Sequence, residues 1–222
     1  MPQRKASSRA GQASQPPDVA PEWVAGDTRR LLLKAGAFLL GYPTESFLAL
    51  LPEVETALAE QGDAQPAPEL RAFSRSFHEG NRAALEALYV QTFDFSESTA
   101  LYLTAHELGD SRQRGTALLE LRYQLRAGGF EPGGAELPDY LPLLLEFVAC
   151  APPDMETAAL ESRLAAACAR IEGRLASDHP YRPLLAALRT LLPEPAQPTP
   201  AEDVSRDGSD TGTMPFPIHY DT

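Results

Sequence analysis

The chain is predicted to be all-α, an irregular globular bundle. Apolar residues recur with a 3.6 period from about residue 28 to residue 192, no alternating strand pattern breaks the series, and no internal repeat imposes a regular array. Prolines and glycines cut the pattern into short segments, which excludes a long up-and-down four-helix rod.

The elements follow in order. Asp27 or Thr28 can cap a first helix with the stripe Leu31, Leu32, Ala35, Phe38 and Leu39, stopped at Gly41 and Pro43. Residues 44–50 and 52–60 read as two short helices or one bent at Pro52, and 61–68 as a turn. A helical region from Glu69 to about Thr92 is interrupted near Gly80-Asn81, with Leu85, Leu88 and Tyr89 on one face. Leu101, Ala105 and Leu108 mark a short helix before Gly109. Residues 111–127 give the strongest helical signal, with Arg114, Leu118, Leu121 and Leu125 in register and Gly128-Gly129 as the stop. Leu137, Tyr140, Leu141, Leu144, Leu145 and Val148 form the next stripe, and Pro142 places its first turn near Leu141. Leu160, Leu164, Cys168, Ile171 and Leu175, then Leu184, Leu185, Leu188, Leu191 and Leu192, complete the series.

Composition divides the chain into three. Residues 1–26 are rich in Ser, Ala, Gln and Pro and are expected to be a disordered tail; 27–193 form the helical domain; 194–222 are an acidic Pro/Gly-rich tail. That last segment carries six acidic residues and one basic, yet 214–222 regain Met, Phe, Ile and Tyr, and are either an extended segment that docks on the domain or on a partner or an idle tail.

Charge narrows the function. With 31 acidic and 19 basic residues the net charge is -12, and no basic block is present to displace counterions from phosphates. Nucleic acid and an anionic membrane surface are therefore poor partners, and no apolar run is long enough to span a bilayer. Two cysteines make no disulfide scaffold, so a cytoplasmic address is expected. Arg29-Arg30 before an apolar run has the outline of a twin-arginine export signal, but Lys34 splits the run and no small-x-small site follows, so an amphipathic helix is expected.

Chemistry is hard to find. His106-Glu107-Leu108-Gly109-Asp110 lacks the second histidine that would put two ring nitrogens on one metal. Cys150 and Cys168 sit among apolar residues, as small core side chains do. Gly128-Gly129 and Gly133-Gly134 lack the lysine of a phosphate-binding loop. What stands out is Asp110-Ser111-Arg112-Gln113-Arg114, which with Arg122 and Arg126 loads arginine onto one helix of an acidic protein. Those arginines either pair internally with surplus carboxylates or hold a carboxylate-rich or carbonyl-presenting partner.

The order Phe93-Asp94-Phe95, Thr99 through His106, Gly109 through Leu119, then Leu137-Pro138-Asp139-Tyr140-Leu141-Pro142 through Phe147 resembles the signatures of the nitrate reductase molybdenum-cofactor assembly chaperones, the delta subunit family of respiratory nitrate reductase. The likeness runs from about Arg30 to Leu192, and the family often has His where this chain has Tyr140. It implies a soluble all-helical chaperone of the redox-enzyme maturation type, not an enzyme, with no resident cofactor or metal. The implied client is the cofactor-free catalytic subunit of the reductase, bound through its N-terminal segment until molybdenum cofactor is inserted and before membrane assembly. Cofactor-delivery proteins are further implied partners, and the alternative client is another molybdoenzyme, including one with a twin-arginine leader. The implied binding surface comprises Tyr89, Phe93, Asp94, His106, Asp110, Arg112, Arg114, Pro138, Asp139, Tyr140, Pro142 and Glu146. A client segment that folds on binding needs a preformed apolar groove with polar rims. Residues 85–103 and 137–147 carry the Leu, Tyr and Phe to line one.

Overall fold

A computed structural model describes residues 28–79, 81–131 and 136–193. The expectations for residues 1–26 and 194–222, and the possible cap at Asp27, lie outside these residues. Among the described residues the secondary structure is helical, with one isolated antiparallel bridge and no strand. The helices are α1 (Thr28–Leu39), α2 (Glu45–Glu60), α3 (Ala67–Glu79), α4 (Arg82–Phe93), α5 (Leu103–Leu108), α6 (Gln113–Ala127), α7 (Leu141–Cys150), α8 (Ala158–Arg174) and α9 (Arg182–Thr190).

Helix α1 is buried more completely than a single stripe requires. Leu31, Leu32, Leu33, Ala35, Ala37 and Leu39 are all in the core, because α7, α9, α3 and α2 surround it. Its broadest packing is against α7. The stripe residue Phe38 is only half-buried, and it opens onto a cleft described below.

Helix α2 is one helix through Pro52. Thr44 caps it by accepting a hydrogen bond from the Phe47 N–H at 3.1 Å, and Glu45 faces the positive end of the helix dipole. Helix α3 begins at Ala67, two residues before the expected start, and Asn81 caps α4 by accepting from the Ala84 N–H.

Helix α5 departs from its expected stripe. Leu103 and Thr104 are its buried residues, whereas Ala105 and Leu108 are half-buried. Leu101 is buried ahead of the helix because the chain there is extended and paired: the Leu103 N–H donates to the Asp139 carbonyl and the Leu141 N–H to the Leu101 carbonyl, both at 2.9 Å. This Tyr102–Tyr140 bridge staples two segments far apart in sequence.

Helix α6, the strongest in sequence, is shallowly seated. Leu121 and Leu125 are buried, Leu118 is half-buried, and Leu119 and Tyr123 are exposed. It starts at Gln113, two residues later than expected, with the Ser111 hydroxyl accepting from the Gln113 N–H. Pro142 lies in the first turn of α7, as its sequence position predicts, but Leu137 precedes the helix and is exposed. The stripes of α8 and α9 are buried as expected and face each other.

Candidate functional site

Nine of the twelve residues of the expected surface fall into three groups, and the other three are exposed. Tyr89 and Phe93 belong to the core, in an aromatic cluster with Tyr181; ring centroids lie 5.0 Å apart for Tyr89–Phe93 and 4.8 Å for Phe93–Tyr181. Their helical face turns inward because α4 has Leu85 on the same side.

A second group forms a polar clamp beneath the surface. Asp139 is fully buried, and its Oδ2 accepts from both the N–H and the hydroxyl of Thr104. Arg114 donates from Nε to the Thr104 hydroxyl at 3.1 Å and brings Nη2 to 3.8 Å from Asp139 Oδ2. The other carboxylate oxygen, Oδ1, is buried without a hydrogen-bond partner among the described residues. Arg114 thus supplies the positive charge a carboxylate needs once removed from water. Pro138 is buried beside this carboxylate in sequence. His106 is half-buried, its Nε2 2.6 Å from the Ala100 carbonyl, and burial lowers its pKa. Glu107 is held by Arg163 through two bonds of 2.8 Å, so the would-be metal motif is occupied by structural pairing.

Asp94, Asp110 and Arg112 are exposed. Arg112 stands at the start of α6, where the helix dipole disfavours a cation, and no ion pair offsets it among the described residues. The two arginines of the sequence motif therefore separate: Arg114 points to a buried carboxylate and Arg112 to solvent.

The third group lines a cleft. Tyr140, Pro142 and Glu146 form one wall of an elongated apolar depression of about 560 Å³. The opposite wall comes from α1, α2 and their connection, including Phe38, Tyr42, Phe47 and Leu50. Phe38 and Phe47, both on its lining, stack face to face at 4.5 Å between ring centroids. Tyr42 and Leu50 are 40% and 42% exposed, so apolar surface on the rim is left facing water. Lys34 and Glu146 supply opposite charges on the lining. Tyr140 is fixed at its inner edge by a 2.8 Å hydroxyl–hydroxyl hydrogen bond to Tyr89. Burial pushes the Tyr140 pKa up to about 12, so it remains a neutral wall near neutrality.

The groove differs from the one expected in its second wall. Residues 137–147 contribute, but 85–103 do not, since Leu85, Tyr89 and Phe93 are used by the core. The missed wall had a signal in sequence: Tyr42 and Leu50 are large apolar residues outside any buried stripe, flanking a proline-containing connection. No helix among the described residues is long and apolar enough to cross a membrane.

Comparison with known proteins agrees with this architecture. The nitrate reductase delta subunit family matches residues 56–187. A probable nitrate reductase molybdenum cofactor assembly chaperone, NarJ of Bacillus subtilis, is 40% identical over 123 residues, covering 55% of this chain and 67% of that protein. The corresponding NarW of Escherichia coli is 33% identical over 161 residues, 72% and 67% of the two chains. NarJ of Escherichia coli is 34% identical over 116 residues, so this chain spans about half of that relative's length, 49%. Among solved structures, a redox enzyme maturation protein from Archaeoglobus fulgidus superposes with a TM-score of 0.53 at 20% identity, covering 75% of this chain and 94% of that one, which shows a shared fold. The NarJ and NarW relatives bear the name of nitrate reductase molybdenum cofactor assembly chaperones, and the family match extends over more than half of the sequence: the chain belongs to the nitrate reductase delta subunit family.

Proposed function

We propose that this protein is the cytoplasmic chaperone of a respiratory nitrate reductase, and that it holds the cofactor-free catalytic subunit by that subunit's N-terminal segment until molybdenum cofactor has been inserted and before the subunit joins its membrane partner. The apolar cleft between α1, α2 and α7 carries this reading. A disordered client segment gains affinity by burying apolar side chains on a surface already formed, at roughly 25 cal/mol per Å² less the cost of ordering the segment. The cleft offers that surface, and Lys34 and Glu146 can fix direction and register. Its α7 wall lies within the family-matched residues, while its α1 wall lies before them. Cofactor-delivery proteins would meet the chaperone–client complex, with Arg112 and Asp110 among the exposed groups available to them.

Calorimetry with a synthetic peptide of the neighbouring reductase's N-terminal segment tests the reading. Binding that is weakened in Leu50→Glu, a substitution on the cleft rim, is the expected result. A peptide that binds the parent and the variant equally would remove the cleft from the account. Recovery of a different molybdoenzyme with the tagged chaperone from cells would reassign the client.

A further inference from the structure

We propose that the cleft has an internal occupant: residues 214–220 of this same chain, Met-Pro-Phe-Pro-Ile-His-Tyr, seat between α1, α2 and α7 when no client is bound. The competition with a client rests on the function proposed above; the seating itself does not.

Chemistry selects the segment. Alternating prolines at 215 and 217 favour an extended polyproline-type backbone, and such segments bind aromatic-lined grooves because little backbone freedom remains to be lost. The cleft is aromatic-lined, with Phe38 and Phe47 stacked on its lining and Tyr42 and Tyr140 at its edges. Phe216, Ile218 and Tyr220 give the segment three large apolar side chains to bury on such a surface.

Geometry permits it. The chain leaves the bundle at Leu191, whose carbonyl accepts from Arg29 Nε at 2.9 Å, near the start of α1. Phe38 on the cleft lining is nine residues further along that helix, about 14 Å away at 1.5 Å per residue. The twenty connecting residues 194–213 reach at most roughly 70 Å when fully extended, more than the distance to be covered.

Charge agrees as well. The connecting residues hold Glu194, Glu202, Asp203, Asp207 and Asp210 against one arginine. Along α1, Arg29 is already paired with Glu161 and Arg30 with the Ala151 carbonyl, and Lys34 is the cation on the cleft lining. Lys34, on the cleft itself, has no ion-pair partner among the described residues.

Backbone amide spectra of the full chain and of a chain ending at Thr213 test the proposal without any client. Removal of 214–222 is expected to shift Lys34, Tyr42, Leu50 and Tyr140, and a synthetic 212–222 peptide added to the shorter chain is expected to restore the original positions. A peptide with Kd about 0.2 mM, tethered at an effective concentration of about 1 mM, lowers client affinity about sixfold. The shortened chain should therefore bind a client peptide about sixfold more tightly. Unchanged cleft resonances on truncation would overturn the proposal, as would shifts confined to the exposed face of α6. Differences that vanish on dilution would place a second copy's segment there and refute intramolecular seating. Cleft shifts caused instead by trimming residues 1–26 would make that segment the occupant. If the client peptide fails to bind while the truncation shifts persist, the functional reading falls and the internal seating stands.

Discussion

Arg114 on α6 reaches the fully buried carboxylate of Asp139 through Thr104, joining the two signature segments below the surface. The neighbouring Arg112 makes no such connection. A pair of arginines that looks equivalent in sequence is therefore a structural charge and a surface charge.

Arg114→Ala should destabilise the protein by about 2–3 kcal/mol, because it strands a buried carboxylate whose Oδ1 already lacks a partner among the described residues. Arg112→Ala should stay within about 0.5 kcal/mol of the parent, as exposed substitutions generally do. Urea melts of the two single variants check this. Equal stabilities would mean that the buried carboxylate does not depend on its cation.

Leu50→Glu should leave the melting temperature within a few degrees while lowering client-peptide affinity by about tenfold. Leu50 is 42% exposed, so the core loses little, but a charge on the apolar rim must be desolvated when a segment binds. Paired thermal melts and calorimetry separate the two effects.

Stability should fall as pH drops below about 6.5, in part through His106. Burial, chiefly, lowers its pKa in the fold, with Arg170 adding to the effect; the Ala100 hydrogen bond and Glu107 oppose it without reversing it. The unfolded ring, with an ordinary pKa of 6.5, takes up a proton more readily than the folded one. The contribution is thus complete above that pH and is lost as pH falls through the depressed folded value. His179 is shifted in the same direction, so His106→Gln should flatten the slope of melting temperature between pH 7 and 5 without removing it. An unchanged slope would show that His106 titrates alike in both states.

Gly36→Ala should cost up to about 2 kcal/mol despite its better helix propensity. An added Cβ would lie 2.4 Å from Leu188 Cδ2 and 3.1 Å from its Cγ, and Leu188 is fully buried. Overpacking of roughly 1–3 kcal/mol exceeds the gain of about 1 kcal/mol from replacing helical glycine. A Gly36→Ala, Leu188→Ala double variant should show coupling in a mutant cycle.

Helix existence was legible in the sequence because burial follows the 3.6 period: Leu160, Leu164, Cys168 and Ile171 are all in the core. The misreadings arose where a distant segment overrode the local signal. Leu101 carries helical spacing to Ala105, yet it is extended because 139–141 supplies hydrogen bonds across the bridge. On α6 the expected stripe is buried at Leu121 and Leu125, while Leu118 nearer its start is half-buried. Within the candidate site, Tyr140, Pro142 and Glu146 could be placed by motif alone. Their partners Phe38, Tyr42 and Leu50 could not, because which helix lies opposite α7 is a property of the assembled bundle.

The packing of α1 on α7 also sets when the cleft can exist. Helix α1 ends at Leu39 and α7 begins at Leu141, about 100 residues later. At roughly 5–20 residues per second, a ribosome needs about 5–20 s to make that intervening stretch. During that interval α1, apolar on nearly every side, is a nascent segment without its main neighbour. The contact closes late and over a long sequence separation, which slows folding relative to local helix pairing. The cleft therefore cannot form before α7 has been made, and a chain terminated before Leu141 lacks one of its walls.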